Sequence, residues 1–411
     1  MGRGSKAFLH VPRDERRAGQ GCVRRQSPLI SRLHLGREQP SGRRGHWVWN
    51  ERLSPVRSII VATASHIPPV GVPNERFLER DFRSADGKRI DKPTPQVVGQ
   101  FEAISGIRER RYAAAGTLTS DLATDAAAQA LSSSGIDGEK LDYIIVAHNF
   151  GDVRAGSRHS DLVPSLAARV KARLRIANPR TAAMDLIFGC PGWLQGVIQA
   201  DYMIRSGEVR RVMVIGAEIL SRVSDPHDRD SMIYADGAGA VILEGRESEA
   251  PVGILAHAVR SDTLDHSTLL AMGPSYDPSA FNGDLFLKMQ GRKVYKYAVQ
   301  TVPGAIRECL DRAGVRLESV AKLLLHQANG KLDEAVLSAL YESCGMDAPP
   351  RDVMPMTISW LGNSSVATLP TLLDLLYRQK LDGHRLHRGD VIVFASVGAG
   401  MHANAVAYRM P

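Results

Sequence analysis

The sequence predicts an α/β fold assembled from two related halves, and three observations carry that prediction. Strand-like and helix-like segments alternate from residue 56 onward, one sequence offset superposes two separated stretches, and the composition is that of a folded chain. Of the 411 residues, 44% are hydrophobic and 23% charged, which excludes wholesale disorder and fibrous repeats. A chain of this length holds two domains or one large fold built in two halves.

The charge is unevenly placed. Residues 1–57 carry thirteen Arg or Lys and four Asp or Glu, a local balance of +9, whereas the whole chain is +8. The remainder is therefore close to neutral and lacks a recognisable nucleic-acid motif, so no nucleic-acid partner is expected. Arg16, Arg17, Arg24, Arg25, Arg43 and Arg44 lie among Gly, Ser and Pro with no apolar period, so residues 1–55 read as a disordered basic extension or a misassigned start. That segment lacks the apolar core of a secretory signal, and no later stretch reaches 18 uninterrupted apolar residues, so neither secretion nor a membrane span is expected. Cys22, Cys190, Cys309 and Cys344 form no CxxC pair and no cluster with metal-ligand spacing. The expectation is no metal, and reduced thiols in the cytoplasm.

A β-branched run at 59–61 opens the ordered sequence, and Pro68 and Pro69 end it. Residues 141–147 (LDYIIVA) and 209–216 (VRRVMVIG) read as buried strands by their apolar runs, with a helical period at 195–205 between them. Strands at 323–325 and 391–395 repeat the theme. A shift of 179 residues places Leu131, Gly135, Ile136, Glu139 and residues 144–146 on Leu310, Gly314, Val315, Glu318 and residues 323–325. The same shift places Val212, Val214 and Ile215 on Val391, Val393 and Phe394. Two halves, 56–245 and 246–411, are expected, with mostly parallel sheets covered by helices and ligands at the carboxyl ends of strands.

Three residues stand where such a fold places chemistry. Cys190 follows a strand-like stretch and precedes Pro191, a residue favoured at the first helical position. A cysteine at a helix N-terminus gains thiolate character from the helix dipole and free N–H groups, although a lone cysteine is more often a buried structural residue. His326 ends the run 323–325, and Asn363 precedes the helical stretch 369–377, where an N-cap is its plainer role. Asp236, in the run DGAGA, reads as part of a tight turn rather than a base. Cys309 and Cys344 lie in helical context and read as inert.

The segment Gly189-Cys190-Pro191-Gly192-Trp193, followed by Ser206-Gly207-Glu208, Asp225-Pro226 and the run ADGAGA at 235–240, resembles the β-ketoacyl-ACP synthase III family of the thiolase superfamily. So do GIRER at 106–110, Met289-Gln290-Gly291, His326-Gln327-Ala328-Asn329 and Gly362-Asn363-Ser364-Ser365. The resemblance runs collinearly from about Arg57 to Arg409. It implies a thiolase-like five-layered αβαβα fold from two pseudo-symmetric halves, in a homodimer. It implies Cys190 as acyl acceptor, His326 and Asn363 as the groups that bind the malonyl thioester, and the backbone N–H groups of Cys190 and Ala399 as the oxyanion hole. The activity implied is decarboxylative Claisen condensation of an acyl-Cys190 with a malonyl-carrier thioester, in fatty-acid or specialised polyketide-like lipid biosynthesis. Two other readings are acyl transfer to an oxygen or nitrogen nucleophile without decarboxylation, and a silent partner subunit, which retention of all three residues disfavours. No cofactor is implied beyond the phosphopantetheine that carries the substrates, and the implied partner is acyl carrier protein.

The chain also departs from the resemblance. Members that use acyl-CoA primers resemble one another in a Trp and an Arg that here read Gln100 and Ile104, which favours a primer delivered on carrier protein. Lys331 and Lys296 keep positive charge where a carrier would dock, while Ser338 and Ala339 stand at two further usually basic positions. The polar stretch 149–161 reads as a loop toward a partner subunit, and Phe188 and Trp193 read as core beside a helix start.

Overall fold

The computed structural model describes residues 55–280 and 283–411, so the basic extension, Pro55 apart, lies outside the described residues. Nine strands build two sheets: β1 Val56–His66, β2 Tyr143–Ala147, β3 Ala182–Leu186, β4 Arg211–Ile219, β5 Asp236–Glu247, β6 Gly253–Ser261, β7 Val320–Leu325, β8 Val391–Gly398 and β9 His402–Arg409. Seven helices frame them: α1 Thr94–Ser105, α2 Thr119–Ser134, α3 Leu166–Arg173, α4 Gly192–Arg205, α5 Gly291–Ala313, α6 Gly330–Ser343 and α7 Thr368–Tyr377.

The first sheet has the order β1-β5-β4-β2-β3 and the second β6-β9-β8-β7. Strand for strand, the second sheet repeats the first without its last member. The 179-residue offset thus joins β2 to β7 and β4 to β8, and it joins the two outer helices α2 and α5. Both helices end on a glycine in the left-handed conformation, Gly135 (φ 66) and Gly314 (φ 62), the same pair the offset superposes.

The sheets are mixed rather than mostly parallel. β4, β2 and β3 run parallel, as do β7 and β8, but β5 returns antiparallel between β1 and β4, and β9 between β6 and β8. A parallel return needs a crossover helix. Only short 3-10 turns separate β4 from β5, and one such turn, Ala399–Met401, separates β8 from β9, so each pair closes as a hairpin.

Five layers follow from which faces are apolar. α4 and α7 lie between the sheets, and their side chains pack on both: Trp193, Leu194, Ile198, Leu369, Leu372 and Leu373 share one core with Ile145 and Val214 below and Leu324, Ile392 and Phe394 above. Helices sandwiched this way are buried all round, as α7 is from Thr368 to Leu376. α2 and α3 cover the outer face of the first sheet, and α5 and α6 that of the second. The structure is the five-layered α/β/α/β/α duplication expected of a thiolase-like chain.

Trp193 is the largest fully buried side chain, its ring edge-on to Phe394 at 5.9 Å and its Nε1–H donating to the Val214 carbonyl at 3.3 Å. Trp193→Ala is expected to cost about 3–5 kcal/mol in urea unfolding. A cost below about 1 kcal/mol would mean that the two sheets do not share this core.

Candidate active site

Cys190 sits in the junction between β3 and α4. Pro191 is the N-cap (φ −69, ψ −1) and the helix begins at Gly192, one residue later than the sequence suggests. Two glycines let backbone pass close by. A Cβ on Gly398 would lie 2.6 Å from the Cys190 nitrogen, and one on Gly189 (φ 63) would lie 2.7 Å from the Ala399 nitrogen. The turn after β8 is therefore pressed against the Cys190 backbone, bringing the Ala399 and Cys190 amides to one place.

These residues open on a cavity of about 1050 Å³ whose lining includes Cys190, His326, Asn363, Ser365, Gly398 and Ala399. The three candidate side chains, 136 and 37 residues apart along the chain, are brought together by the two halves. His326 leaves the end of β7 with its N–H donating to the Ala395 carbonyl at 2.8 Å. It is 6% exposed, and burial alone holds its imidazole down to about 4, so the ring is neutral. Asn363 does not cap α7, whose N-cap is Ala367. Its Oδ1 accepts the Ser365 N–H at 2.8 Å, and its backbone pairs with Ile233 and Ala235 on the segment leading into β5. With Oδ1 engaged, Nδ2 is the group left to donate.

The thiol is not depressed as its helix position suggests. Burial pushes it up to about 11 and the Glu218 carboxylate adds to this, opposed by the Ser365 hydroxyl, which donates to Sγ at 3.3 Å. A helix end carries about half a charge acting over one turn; the loss of solvent around a sulfur set into a cavity wall outweighs it. The residue's remaining exposed surface belongs to the cavity wall.

Sequence reasoning missed a polar chain behind the sulfur. Asn149 Nδ2 donates to Ser365 Oγ at 3.1 Å and to Glu218 Oε2 at 2.7 Å, and its backbone N–H donates to the same carboxylate oxygen at 3.1 Å. Glu218 thus fixes the Asn149 amide, which obliges the Ser365 hydroxyl to point its hydrogen at Cys190. Ser365 adopts φ 53, a strained value for a side-chain-bearing residue. A buried Glu in the strand β4 was the available signal. Burial raises Glu218 to about 7, against the lowering from its Asn149 hydrogen bonds and nearby His148.

The remaining candidates fall outside the cavity wall. The DGAGA run is extended as the start of β5 rather than the expected tight turn, and Asp236 is buried there, clamped by the N–H of Ala113 (2.8 Å) and by the N–H and hydroxyl of Ser221 (2.9 and 2.7 Å), a structural role. Phe188 stacks on His402 at 4.0 Å. Cys309 is buried and donates to the Ala256 carbonyl, while Cys344 is exposed at the end of α6. Lys331 and Lys296 are exposed and flank the lining residues Leu332 and Tyr295 without lining the cavity themselves. Gln100 and Ile104 are exposed on α1, Gln100 accepting from Lys92 at 3.1 Å. The cations that do line the cavity are Arg83, Lys88, Arg89, Arg229 and Arg292, on loops or at a helix start that no sequence motif marked. Among the described residues no group of three or more His, Cys, Asp or Glu could hold a metal, and no helix is long and apolar enough to cross a membrane.

A duplicated five-layer fold with a half-buried cysteine, a histidine and an asparagine meeting at the seam of its halves defines a thiolase-like acyl-transferring enzyme. Residues 184–263 match the family model of 3-oxoacyl-[acyl-carrier-protein] synthase III, and residues 310–410 that of its C-terminal part. The fold is similar to that of 3-oxoacyl-[acyl-carrier-protein] synthase III from Aquifex aeolicus VF5, at 29% identity and TM-score 0.69 over 86% of this chain and 99% of that one. It is also similar to the enzyme of the same name from Pseudomonas aeruginosa PAO1 (26%, TM-score 0.70, 86% and 98%). A third similar structure is the priming β-ketosynthase of the R1128 polyketide pathway (26%, TM-score 0.70, 88% and 98%). By these matches the chain resembles the 3-oxoacyl-ACP synthase III family of condensing enzymes.

Glu218→Gln keeps the polar chain's shape and removes a carboxylate whose charge opposes the thiolate. Iodoacetamide at pH 8.5 is expected to alkylate Cys190 faster in this variant; an equal or slower rate would remove Glu218 from the electrostatics of the sulfur. Because its folded pKa is raised, Glu218 contributes stability present below about 4.5 that is lost as pH rises through about 7. The variant's melting temperature relative to the native chain is therefore expected to rise between pH 5 and pH 8.

Proposed function

We propose that this protein catalyses decarboxylative Claisen condensation of an acyl-Cys190 intermediate with a malonyl-carrier thioester, giving a β-ketoacyl product in fatty-acid or specialised lipid biosynthesis. The observation that supports this most directly is the convergence of Cys190, His326, Asn363 and the Ala399 turn on one cavity. Cys190 Sγ attacks the carbonyl of the acyl donor, the bond from that carbonyl to the carrier's sulfur breaks, and the proton leaving Sγ ends on the departing sulfur. The Ser365 hydroxyl steadies the charge on Sγ during transfer, which a buried sulfur needs. Malonyl thioester then loses carbon dioxide, and the electron pair of the broken carbon–carbon bond passes into an enolate. His326, neutral, and Asn363 Nδ2 donate to its oxygen. The enolate carbon attacks the acyl-Cys190 carbonyl, and the new oxyanion lies against the amides of Cys190 and Ala399 until the thiolate is expelled.

A homodimer is part of the same reading. β3 is an edge strand among the described residues, with Met184 36% and Ile187 59% exposed along or just beyond it, an apolar rim suited to a second copy.

Cys190→Ser is expected to form no acyl-enzyme detectable by intact mass, since its hydroxyl lacks an adjacent strong base. His326→Ala and Asn363→Ala should each slow carbon dioxide release from malonyl-carrier by roughly 100-fold or more while self-acylation persists. Loss of acylation with normal decarboxylation would reverse the roles, and turnover without carbon dioxide release would point to transfer onto oxygen or nitrogen.

For the donor, we propose acyl carrier protein over CoA. Gln100 and Ile104 offer neither an indole face nor a guanidinium, contacts of roughly 1–3 kcal/mol each, whereas Lys331 and Lys296 present unpaired charge beside the cavity wall. Comparison of kcat/KM for one acyl group on the two donors is expected to favour carrier by roughly tenfold. Equal or better use of acyl-CoA would overturn the inference.

A further inference from the structure

A second cavity, of about 20 Å³, lies among α5, α6 and the carboxyl ends of β7 and β8, and His326 lines both it and the large cavity. Its wall is mostly apolar, with Ala298, Val302 and Val336, but two further polar residues reach it: Asp333, in the first turn of α6, and Ser396 on β8. Asp333 and Ser396 are each 2% exposed and His326 6%. Three of their atoms are buried without a hydrogen-bond partner: His326 Nδ1, Asp333 Oδ2 and Ser396 Oγ. Buried polar groups are rarely left unpaired. A void of this size accepts one water, and a water with two to four polar partners is the usual occupant of such a site.

We propose that Asp333 and Ser396 are positioning residues that hold one ordered water against His326 Nδ1, fixing the imidazole in the tautomer with its proton on Nε2. A neutral imidazole has a single N–H, and the partner of one ring nitrogen decides which carries it. The water donates one hydrogen to Nδ1 and the other to the Asp333 carboxyl, and accepts the Ser396 hydroxyl. With Nδ1 an acceptor, the proton stands on Nε2, where it can be given toward the thioester oxygen. Burial holds the Asp333 carboxyl well above the ordinary carboxylate range, against a backbone hydrogen bond from Ala328 that lowers it. A neutral carboxyl draws no second proton onto the ring. An ionised one would favour Nδ1–H, the wrong tautomer for an Nε2 donor.

This inference rests on the reading of His326 as donor to the enolate, and its test separates the two. In the full-length protein labelled with ¹⁵N-histidine, the signals lost in His326→Ala identify the ring, whose shifts report where the proton sits. The native ring is expected to be protonated at Nε2, and Asp333→Leu and Ser396→Ala to shift it toward Nδ1–H. Asp333→Leu should lower malonyl-carrier decarboxylation roughly tenfold or more, the scale of losing a group that orients a functional histidine, with Cys190 acylation within about twofold. Asp333→Asn, neutral and able to hold the water, should restore decarboxylation to within about threefold of native. Equal loss in the Asn and Leu variants, or a native ring protonated at Nδ1, would overturn the proposal. If the native protein released no carbon dioxide, the enolate reading would fall, while the tautomer shift in Asp333→Leu and Ser396→Ala would still decide the role of Asp333.

Discussion

The rest of the site depends on the contact between Gly398 and the Cys190 backbone, where no side-chain carbon fits. It ties the turn between β8 and β9 to the junction between β3 and α4, so that one half's hairpin closes over the other half's cysteine. With that contact in place, the sulfur is enclosed and two amides from different halves stand side by side. Enclosure then sets the electrostatics. The thiol and the Glu218 carboxyl are pushed up and the His326 imidazole is pushed down, each because burial penalises its charged form. The Cys190 thiol and the His326 imidazole are both neutral at rest, and hydrogen-bond direction prepares them for reaction.

Duplication explains why the site lies where it does. Each sheet carries its parallel strands beside an antiparallel return, so the carboxyl ends of β3 and β7 both open at the seam. One half supplies Cys190 from the start of α4; the other supplies His326 from the end of β7 and Asn363 from the approach to α7. α4 and α7 are equivalent helices in the middle layer, and their shared core with both sheets holds the seam closed. Gly135 and Gly314 mark the same symmetry on the outer layers.

Much of this was legible in the chain. The apolar runs of β2, β4, β7 and β8 and the 179-residue offset specify a duplicated α/β fold, because buried strands must be continuous and related halves must keep related spacing. Cys190, His326 and Asn363 were legible because each stands in a motif at an element's end. The direction of β5 and β9 was misjudged, since alternation of strands and helices does not reveal where a short turn replaces a crossover.

The sequence by itself determined which elements form, that they form twice, and which three side chains are the candidates for chemistry, since these depend on local pattern and motif. Tertiary structure alone decided the protonation of those side chains and the company they keep. Glu218, Asn149 and Ser365 are 69 and 216 residues apart along the chain yet form one hydrogen-bonded series ending at Cys190. Whether a thiol at a helix start is lowered or raised depends on how much solvent the rest of the chain removes, a quantity fixed by packing between distant segments.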